Sequence, residues 1–295
     1  MPRPRRVVRD CPAKINLFLE ILGRRPDGYH DLATVMAPVS VFDTLEVRPA
    51  RGFHLTVEGA VLPGVNLVEK AFRACARRAK LPGARVRLVK RVPAGSGLGG
   101  GSSDAAAMIE ALDELYGLGL DRHAVAAEIG SDLNLFLAGR PALCTGRGER
   151  VAPLAFPLPL HAVLVWPGFP LPTADVFRRA REFLTRRPRS VMDFLNIAVR
   201  RRPDALGAAL FNRLETPAFS LRPELAVWAR RLRRWPFQAV RMTGSGSALF
   251  GLCRTSAEAR SLARKVAAAT DAWVAQVATV AGEDVWKSPR SASSS

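Results

Sequence analysis

The sequence predicts two domains that both combine helices and strands. Its 295 residues are about two domains' worth of chain. Residues 1–150 alternate strand-like and helix-like patterns, whereas the second half is helical to about residue 234 and then reads strand, glycine loop, strand, helix, strand. The composition, 48% apolar and 24% charged, is that of a globular protein that folds without a disulfide or metal. We place the domains at 1–157 and 158–287, followed by a low-complexity, disordered tail at 288–295.

The elements of the first domain follow from hydrophobic periodicity and from residues that cap helices. In chain order, the predicted elements are strands at 13–22, 44–47 and 53–57, a helix at 66–80, a strand at 85–92, a helix from 103 to 116 ended by Gly117, and a helix capped by Asp121 and ended by Gly130. This order places a glycine-rich segment between a strand and a well-patterned helix.

The second domain begins within a proline-rich stretch at 153–172. Its predicted elements are a strand at 161–166, helices to about residue 234, strands at 238–242 and 248–253, a helix at 256–269 and a strand at 273–279. Thr255 with Glu258 three residues later forms a capping box, which marks the start of the last helix.

The charge is strongly basic, with a formal net charge of +18, and all but six of the 44 basic residues are arginines. Such a charge suits nucleic acid, a membrane surface or a phosphorylated small molecule. The arginines are scattered, and no polybasic block alternates with aromatic residues. The pattern favours an arginine-rich solvated surface, with a nucleic-acid footprint as the open alternative.

Cysteine and histidine positions argue against a disulfide framework or a metal cluster. The four cysteines and four histidines lie far apart without metal-ligand spacing, which fits a reducing compartment. The first residues are basic without a following apolar segment, and the most apolar stretch, 154–172, contains five prolines. We therefore expect a cytoplasmic protein without a membrane-spanning helix, and no metal-binding side chains.

The strongest local signal is a glycine-rich segment, called here the first glycine loop. It comprises Pro93, Ala94, Gly95, Ser96, Gly97, Leu98, Gly99, Gly100, Gly101, Ser102 and Ser103. Glycines let consecutive backbone N–H groups point inward, and the following helix start adds a positive dipole end. No Gly-Lys-Ser/Thr follows, so this is not a Walker A loop. The segment predicts a phosphate site, and the alternative is a flexible linker.

A second glycine loop, 243–247, lies between two predicted strands of the other domain. Alone it fits a hairpin. Together with the first glycine loop, it suggests a nucleotide held at the domain boundary.

Three polar residues could carry phosphoryl transfer. Lys14 interrupts an apolar strand, with Asn16 two residues later on the same face, and Asp132 follows a helix end. A carboxylate orients an acceptor hydroxyl and a cation offsets the charge of the transferred group, so Lys14 with Asp132 would supply both. For Asp132 alone, a helix N-cap is the alternative.

Lys90 lies on the apolar face of the predicted strand at 85–92. Local inconsistencies of this kind often mark functional sites, and an edge-strand lysine in water is the alternative.

Several segments, in order, resemble the GHMP kinases, the superfamily of galactokinase, homoserine, mevalonate and phosphomevalonate kinases. They are Ala13-Lys-Ile-Asn-Leu-Phe-Leu19, Arg25-Pro-Asp-Gly-Tyr-His-Asp31, the first glycine loop, Gly146-Arg-Gly-Glu149 and Met242-Thr-Gly-Ser-Gly-Ser247. The glycine loops are similar to those of the whole superfamily. The Lys-x-Asn block followed by Pro-Asp-Gly-Tyr-His resembles the 4-diphosphocytidyl-2-C-methyl-D-erythritol kinase family within it.

This resemblance implies an α+β, two-domain GHMP kinase fold with an N-terminal α/β domain of the ribosomal-protein-like type and a C-terminal ferredoxin-like domain. It implies transfer of the ATP γ-phosphate, with Mg²⁺, to the 2-hydroxyl of a cytidyl diphosphate sugar alcohol in non-mevalonate isoprenoid biosynthesis. The rivals are another GHMP kinase, of homoserine or mevalonate type, and a basic RNA-binding module. We expect no nucleic-acid or membrane partner.

The resemblance also assigns roles to individual residues. Lys14 and Asp132 match the catalytic pair, the first glycine loop matches the ATP loop, and Asn66 matches a motif near the adenine. The residues that match substrate contacts are Asn16, Tyr29, His30, Lys90 and Phe177. Around Asp132, Ser131 and Asn134 stand where the family usually has alanine and proline.

Overall fold

The computed structural model describes residues 6–60, 64–155, 159–185, 187–199 and 203–286. In the first half of the chain, the elements are β1 (Val7–Arg24), β2 (His30–Pro49), β3 (Gly52–Glu58), α1 (Leu67–Ala76), β4 (Gly83–Val89), α2 (Gly100–Tyr116), α3 (Arg122–Ile129), α4 (Leu133–Ala138), β5 (Ala142–Gly146) and β6 (Arg150–Pro153). In the second half, they are β7 (His161–Trp166), α5 (Thr173–Ala180), α6 (Val191–Val199), α7 (Pro203–Ala209), β8 (Phe211–Asn212), α8 (Glu215–Leu221), α9 (Pro223–Leu232), β9 (Ala239–Met242), β10 (Leu249–Cys253), α10 (Ser256–Ala268) and β11 (Trp273–Ala278).

Two sheets organise the molecule and confirm the predicted α+β class. The first has the order β3-β4-β2-β1-β8, with β5 paired to β2 and β6 to β5. The second is antiparallel, in the order β11-β7-β10-β9. Its chain order of strand, helices, strand, strand, helix, strand is the ferredoxin-like arrangement. The short β8 comes from the second half of the chain but joins the first sheet through a parallel pairing with β1.

The long antiparallel pair β1–β2 is buried on both faces. On one face, α1, α2 and α3 cover a core that includes Leu45, Val47 and Met108. On the other face, Ile15 and Val35 pack in one core with Leu164 and Phe250 of the second sheet. Burial on both faces explains why these strands carry continuous apolar runs rather than alternation.

Most predicted elements occur, with three differences. The predicted strand 44–47 is only the end of β2, because the double burial of that strand removes the period-two signal. The helix predicted at 66–80 ends at Ala76, and β5, β6 and β8 were not predicted. The predicted boundary between residues 157 and 158 and the predicted disorder of 288–295 lie outside the described residues. Within the described part of the chain, no helix is long and apolar enough to cross a membrane.

Candidate active site

A cavity of about 540 Å³ lies between the two sheets and receives residues from both halves of the chain. The predicted site residues that line it are Lys14, Asn16, Asn66, Lys90, Asp132, Phe177, and nine of the first glycine loop, namely Pro93, Ala94, Gly95, Ser96, Gly97, Gly99, Gly100, Gly101 and Ser102. The fold therefore brings together predicted site residues that are up to 163 positions apart, from Lys14 to Phe177.

The first glycine loop joins the end of β4 to the start of α2. The cap of α2 is Gly99, which has a left-handed conformation and offers no side chain to the first N–H groups of the helix. Those N–H groups have no partner within a helix and carry its positive dipole end. They border the cavity, so a phosphate group there would receive backbone donors without competition from a capping side chain.

Two residues of the predicted phosphate site turn away from the cavity. Leu98 is fully buried in the core between the sheets, and its carbonyl accepts a hydrogen bond from the Lys14 N–H at 2.8 Å. Ser103 is also fully buried, and its hydroxyl has no hydrogen-bond partner among the described residues. These two positions support the loop from behind.

The second glycine loop supports the first one. A Cβ atom on Gly97, which has φ +80°, would lie 2.5 Å from the carbonyl oxygen of Thr243. Ala248 N–H, just after the second loop, donates to the Ser96 carbonyl at 2.8 Å. Only Gly244 and Ser245 of the second loop reach the cavity. The close approach at Gly97 is thus between two protein backbones, which is why that position needs a glycine.

Lys14 lies in β1 with its side chain buried, only 3% exposed. Its ammonium donates to Asn16 Oδ1 at 2.7 Å and to the Gly97 carbonyl at 2.8 Å, and it lies 3.6 Å from Asp132 Oδ2. Burial lowers the pKa of Lys14 from its ordinary value, and Asp132 opposes that effect. The ammonium is therefore fixed between the first glycine loop and the candidate base.

Asp132 precedes α4, but its side chain makes no capping hydrogen bond. It is 33% exposed and faces the cavity, so the simple N-cap alternative does not describe it. Asn134 donates to the Glu149 carbonyl at 3.0 Å, and its Oδ1 lies 3.1 Å from His123 Nδ1. These contacts fix the start of α4, and with it the position of Asp132.

Asn16 is buried, and its amide is held within the protein. Its Oδ1 accepts from Lys14 and from the Thr243 hydroxyl, and its Nδ2 donates to the Thr34 hydroxyl at 2.9 Å. Thr243 belongs to the second glycine loop. Asn16 therefore connects Lys14 to the second half of the chain.

Of the three residues expected at the cytosine, Phe177 lines the cavity, whereas His30 and Tyr29 do not. His30 is buried and stacks on Phe177, with ring centroids 5.4 Å apart and an interplanar angle of 29°. Its Nε2 has no hydrogen-bond partner within the described part of the chain. Burial lowers the pKa of His30, and Arg181 and Arg24 add to that effect.

Tyr29 is 55% exposed and lies just outside the cavity. The turn before it forms as predicted, because Gly28 has φ +87° and donates to the Arg25 carbonyl at 3.1 Å. The guanidinium of Arg147 lies 5.0 Å from the centre of the Tyr29 ring, in cation–π geometry. Arg147 itself lines the cavity.

Lys90 is buried and does not reach into water. Its ammonium contacts the carboxylates of Asp43 and Asp104, which are themselves buried. The edge-strand alternative is therefore wrong, because two carboxylates draw the ammonium into the interior. The two carboxylates raise the pKa of Lys90, against the opposing effect of burial.

Asn66 is the N-cap of α1, where its Oδ1 accepts from the Val68 N–H at 2.9 Å. Its Nδ2 is buried without a hydrogen-bond partner among the residues described, and the residue borders the cavity. The unused donor suits a polar ligand atom at this edge of the cavity.

Three charged residues at this site, Asp43, Asp104 and Arg147, were not predicted from the sequence. Asp43 alternates along β2 with the buried Leu45 and Val47, so it is a charged residue on an apolar strand face. Lys90 was noticed in the sequence for the same reason. Asp104 interrupts an apolar helix face. Arg147 lies inside the quoted Gly146-to-Glu149 segment, and its charge contributes to lowering the pKa of Asp27, which is itself paired with Arg25. No group of three or more His, Cys, Asp or Glu side chains in the described ranges could hold a metal ion.

Comparison with known proteins identifies the class of enzyme to which this fold and site belong. The profile of the GHMP kinases N terminal domain matches residues 66–140, and that of GHMP kinases C terminal matches residues 195–272. A homoserine kinase structure from Cytophaga hutchinsonii shares the fold, with a TM-score of 0.73 at 18% identity over 95% of this chain and 96% of that one. Fold and site together define an ATP-dependent kinase of the GHMP type.

Two relatives and a crystal structure narrow the family. The 4-diphosphocytidyl-2-C-methyl-D-erythritol kinase of Thermus thermophilus is 41% identical over 95% of this chain and 99% of its own. That of Deinococcus radiodurans is 38% identical over 92% of both. A crystal structure of 4-(cytidine 5'-diphospho)-2C-methyl-D-erythritol kinase has a TM-score of 0.78 at 40% identity, covering 94% of this chain and 100% of that one. The chain belongs to the 4-diphosphocytidyl-2-C-methyl-D-erythritol kinase family, as its motifs predict.

Proposed function

We propose that this protein transfers the γ-phosphoryl group of ATP to the 2-hydroxyl of 4-diphosphocytidyl-2-C-methyl-D-erythritol, a step of non-mevalonate isoprenoid biosynthesis. The observation that carries the proposal is the placement of Lys14 and Asp132 3.6 Å apart, in one cavity with the first glycine loop. Relatives named for this substrate, at about 40% identity, support the choice among GHMP kinases.

The roles of the two residues follow from their charges and positions. Asp132 accepts a hydrogen bond from the acceptor hydroxyl and takes its proton as the oxygen attacks the γ-phosphorus, while ADP leaves. Lys14 places a positive charge beside Asp132 and beside the first glycine loop, where charge accumulates on the transferred group. The backbone N–H groups at the start of α2 bind the phosphates, and Asn66 is at the adenine end.

Mg²⁺ would supply charge neutralisation of the triphosphate when bound. Magnesium takes oxygen ligands, keeps several waters and is commonly held through substrate phosphates with one or two protein groups. The unpartnered hydroxyl of Ser103 is an oxygen of the right type, but the residue is fully buried behind the first glycine loop and does not line the cavity. The site therefore fits a magnesium ion bound mainly by the nucleotide.

The acceptor end combines aromatic and cationic groups. His30 stacked on Phe177, with the nearby Tyr29, offers aromatic surface and a free imidazole nitrogen for a cytosine. Arg147 is the cation that lines this part of the cavity without a paired carboxylate in the described ranges, so it can receive the diphosphate. Asn16 holds Lys14 beside the acceptor.

The test is an ATP-consumption assay with three acceptors offered side by side: 4-diphosphocytidyl-2-C-methyl-D-erythritol, mevalonate and homoserine. We expect turnover with the first and none above background with the others. Equal or faster turnover of mevalonate or homoserine would contradict the proposed substrate while leaving the kinase class intact. A salt series with single-stranded RNA tests the expectation that no nucleic acid binds, since phosphate-backbone binding falls steeply with salt.

A further inference from the structure

Asp43, Lys90 and Asp104 form a buried cluster of charge behind the first glycine loop. All three are nearly inaccessible to water. The Lys90 ammonium contacts the Asp43 carboxylate and lies 2.6 Å from Asp104 Oδ2. Burying three charges is unfavourable unless each is closely paired, so the arrangement constrains all three elements that supply it. Those elements are β2, the segment after β4, and α2.

Asp43 fixes the entry of the first glycine loop. Its Oδ1 accepts hydrogen bonds from the backbone N–H groups of Arg91, at 2.5 Å, and Val92, at 2.8 Å. These two residues immediately precede Pro93. The N–H of Lys90 also donates to the Glu58 carbonyl at 2.8 Å, which extends the pairing with β3 beyond the last residue of β4.

Asp104 fixes the exit of the same loop. It lies four residues after Gly100, on the same face of α2, and Lys90 draws that face toward β2. A Cβ atom on Gly100 would lie 3.1 Å from Asp43 Oδ2 and 3.0 Å from Val92 Cγ1. The start of α2 therefore packs directly on the residues that hold the loop entry.

We propose that the cluster Asp43–Lys90–Asp104 is a clamp that holds both ends of the first glycine loop, so that its N–H groups face the ATP phosphates in one arrangement. Lys90 is then a positioning residue, since its ammonium is shared by two carboxylates, rather than the substrate contact that the resemblance implies. The inference rests on the proposed ATP site. It assigns to Lys90 an effect on ATP affinity and none on the acceptor.

The test compares variants of the full chain by calorimetric titration with ATP and by steady-state kinetics. Lys90→Met leaves two buried carboxylates unpaired and is strongly destabilising, so Lys90→Met/Asp104→Leu is made as well. In this double variant, Asp43 loses the ammonium but keeps its bonds to the N–H groups of Arg91 and Val92, while the link to α2 is cut. Arg87→Met is the matched control, because Arg87 lies on β4 in an exposed pair with Glu58.

We expect the folded double variant to raise the Kd for ATP at least ~10-fold, since small misplacements of binding groups have effects of that size. Its kcat at saturating ATP should fall less than about threefold, and the acceptor KM should stay at the wild-type value. Lys90→Arg, which keeps the cation, should recover most of the affinity. Arg87→Met should behave as wild type.

Two results would overturn the inference. One is an ATP Kd within about twofold of wild type in a double variant with a native circular dichroism spectrum. The other is a loss confined to the acceptor KM, which would make Lys90 a substrate contact. A failure of the proposed function would instead show in the wild-type titration, where ATP would not bind.

Discussion

Two buried lysines border the same cavity, and they differ in what surrounds them. Lys14 has one carboxylate, Asp132, 3.6 Å away and one-third exposed. Lys90 has two carboxylates, those of Asp43 and Asp104, which are both buried and in direct contact with its ammonium. Burial lowers the pKa of Lys14, whereas the two carboxylates raise that of Lys90. The first arrangement leaves a carboxylate open to a ligand, whereas the second holds the ammonium between two buried carboxylates.

The difference shows that burial of a lysine does not by itself indicate catalysis. The decisive feature is whether the partner carboxylate is accessible to a substrate. Asp132 faces the cavity and makes no capping hydrogen bond, whereas Asp43 uses Oδ1 for two backbone N–H groups. We therefore assign the chemistry to the Lys14 pair and loop geometry to the Lys90 cluster.

The largest expected effect is that of Asp132→Asn, which removes the base but keeps the shape. The turnover number should fall at least ~100-fold, the usual scale for a lost general base. The Kd for ATP should stay near wild type, because the proposed role of Asp132 is toward the acceptor hydroxyl. Steady-state kinetics and ATP titration check this prediction. Near-normal turnover would remove the distinction between the two lysines.

Arg147 is a third cation at the cavity, and unlike the two lysines it has no paired carboxylate in the described ranges. Arg147→Met tests whether this cation binds the acceptor. The acceptor KM should rise about 10-fold, since a charge-assisted contact to the diphosphate is worth roughly 1.5–3 kcal/mol. The ATP KM should not change. Arg150→Met, on the neighbouring strand β6, serves as the control. An unchanged acceptor KM in Arg147→Met would show that the diphosphate binds elsewhere.

The pH dependence of turnover distinguishes the two lysines directly. Because burial lowers the pKa of Lys14, kcat should decline on the alkaline side with an apparent pKa below 10.5, the ordinary lysine value. The raised pKa of Lys90 keeps it charged throughout that range. Lys14→Arg, if active, should move the decline to higher pH, since arginine stays protonated. A profile that is the same in both proteins would exclude Lys14 as the titrating group.

A smaller effect is expected on stability from Asp104, whose pKa is raised to about 7, mainly by burial. The folded state then binds this proton more tightly than the unfolded chain does between about pH 4 and pH 7. The free energy of unfolding should therefore decrease as pH rises through that interval. Asp104→Asn should flatten the dependence by on the order of 1 kcal/mol, measured by urea unfolding.

The sequence predicted the parts of the site that are local in the chain. The turn before Tyr29, the first glycine loop and the cap of α10 each depend on residues a few positions apart, and all three form. The full extent of β2 was not predicted, because a strand buried on both faces lacks the alternation of apolar and polar residues. The pairing of Lys90 with Asp43 and Asp104 was not predicted either, since these two residues come from two other elements that only the fold brings together.

The most direct test of the account is the single-turnover rate of phosphoryl transfer, measured by rapid quench with both substrates saturating. Lys14→Met should slow this step at least ~100-fold, because charge stabilisation at the transferred group is lost. Lys90→Met/Asp104→Leu should slow the transfer step less than about threefold once ATP is saturating, because this variant reduces only the affinity of the first glycine loop for ATP. Equal losses in the two variants, or a larger loss in the second, would contradict the assignment of chemistry to Lys14 and of positioning to Lys90.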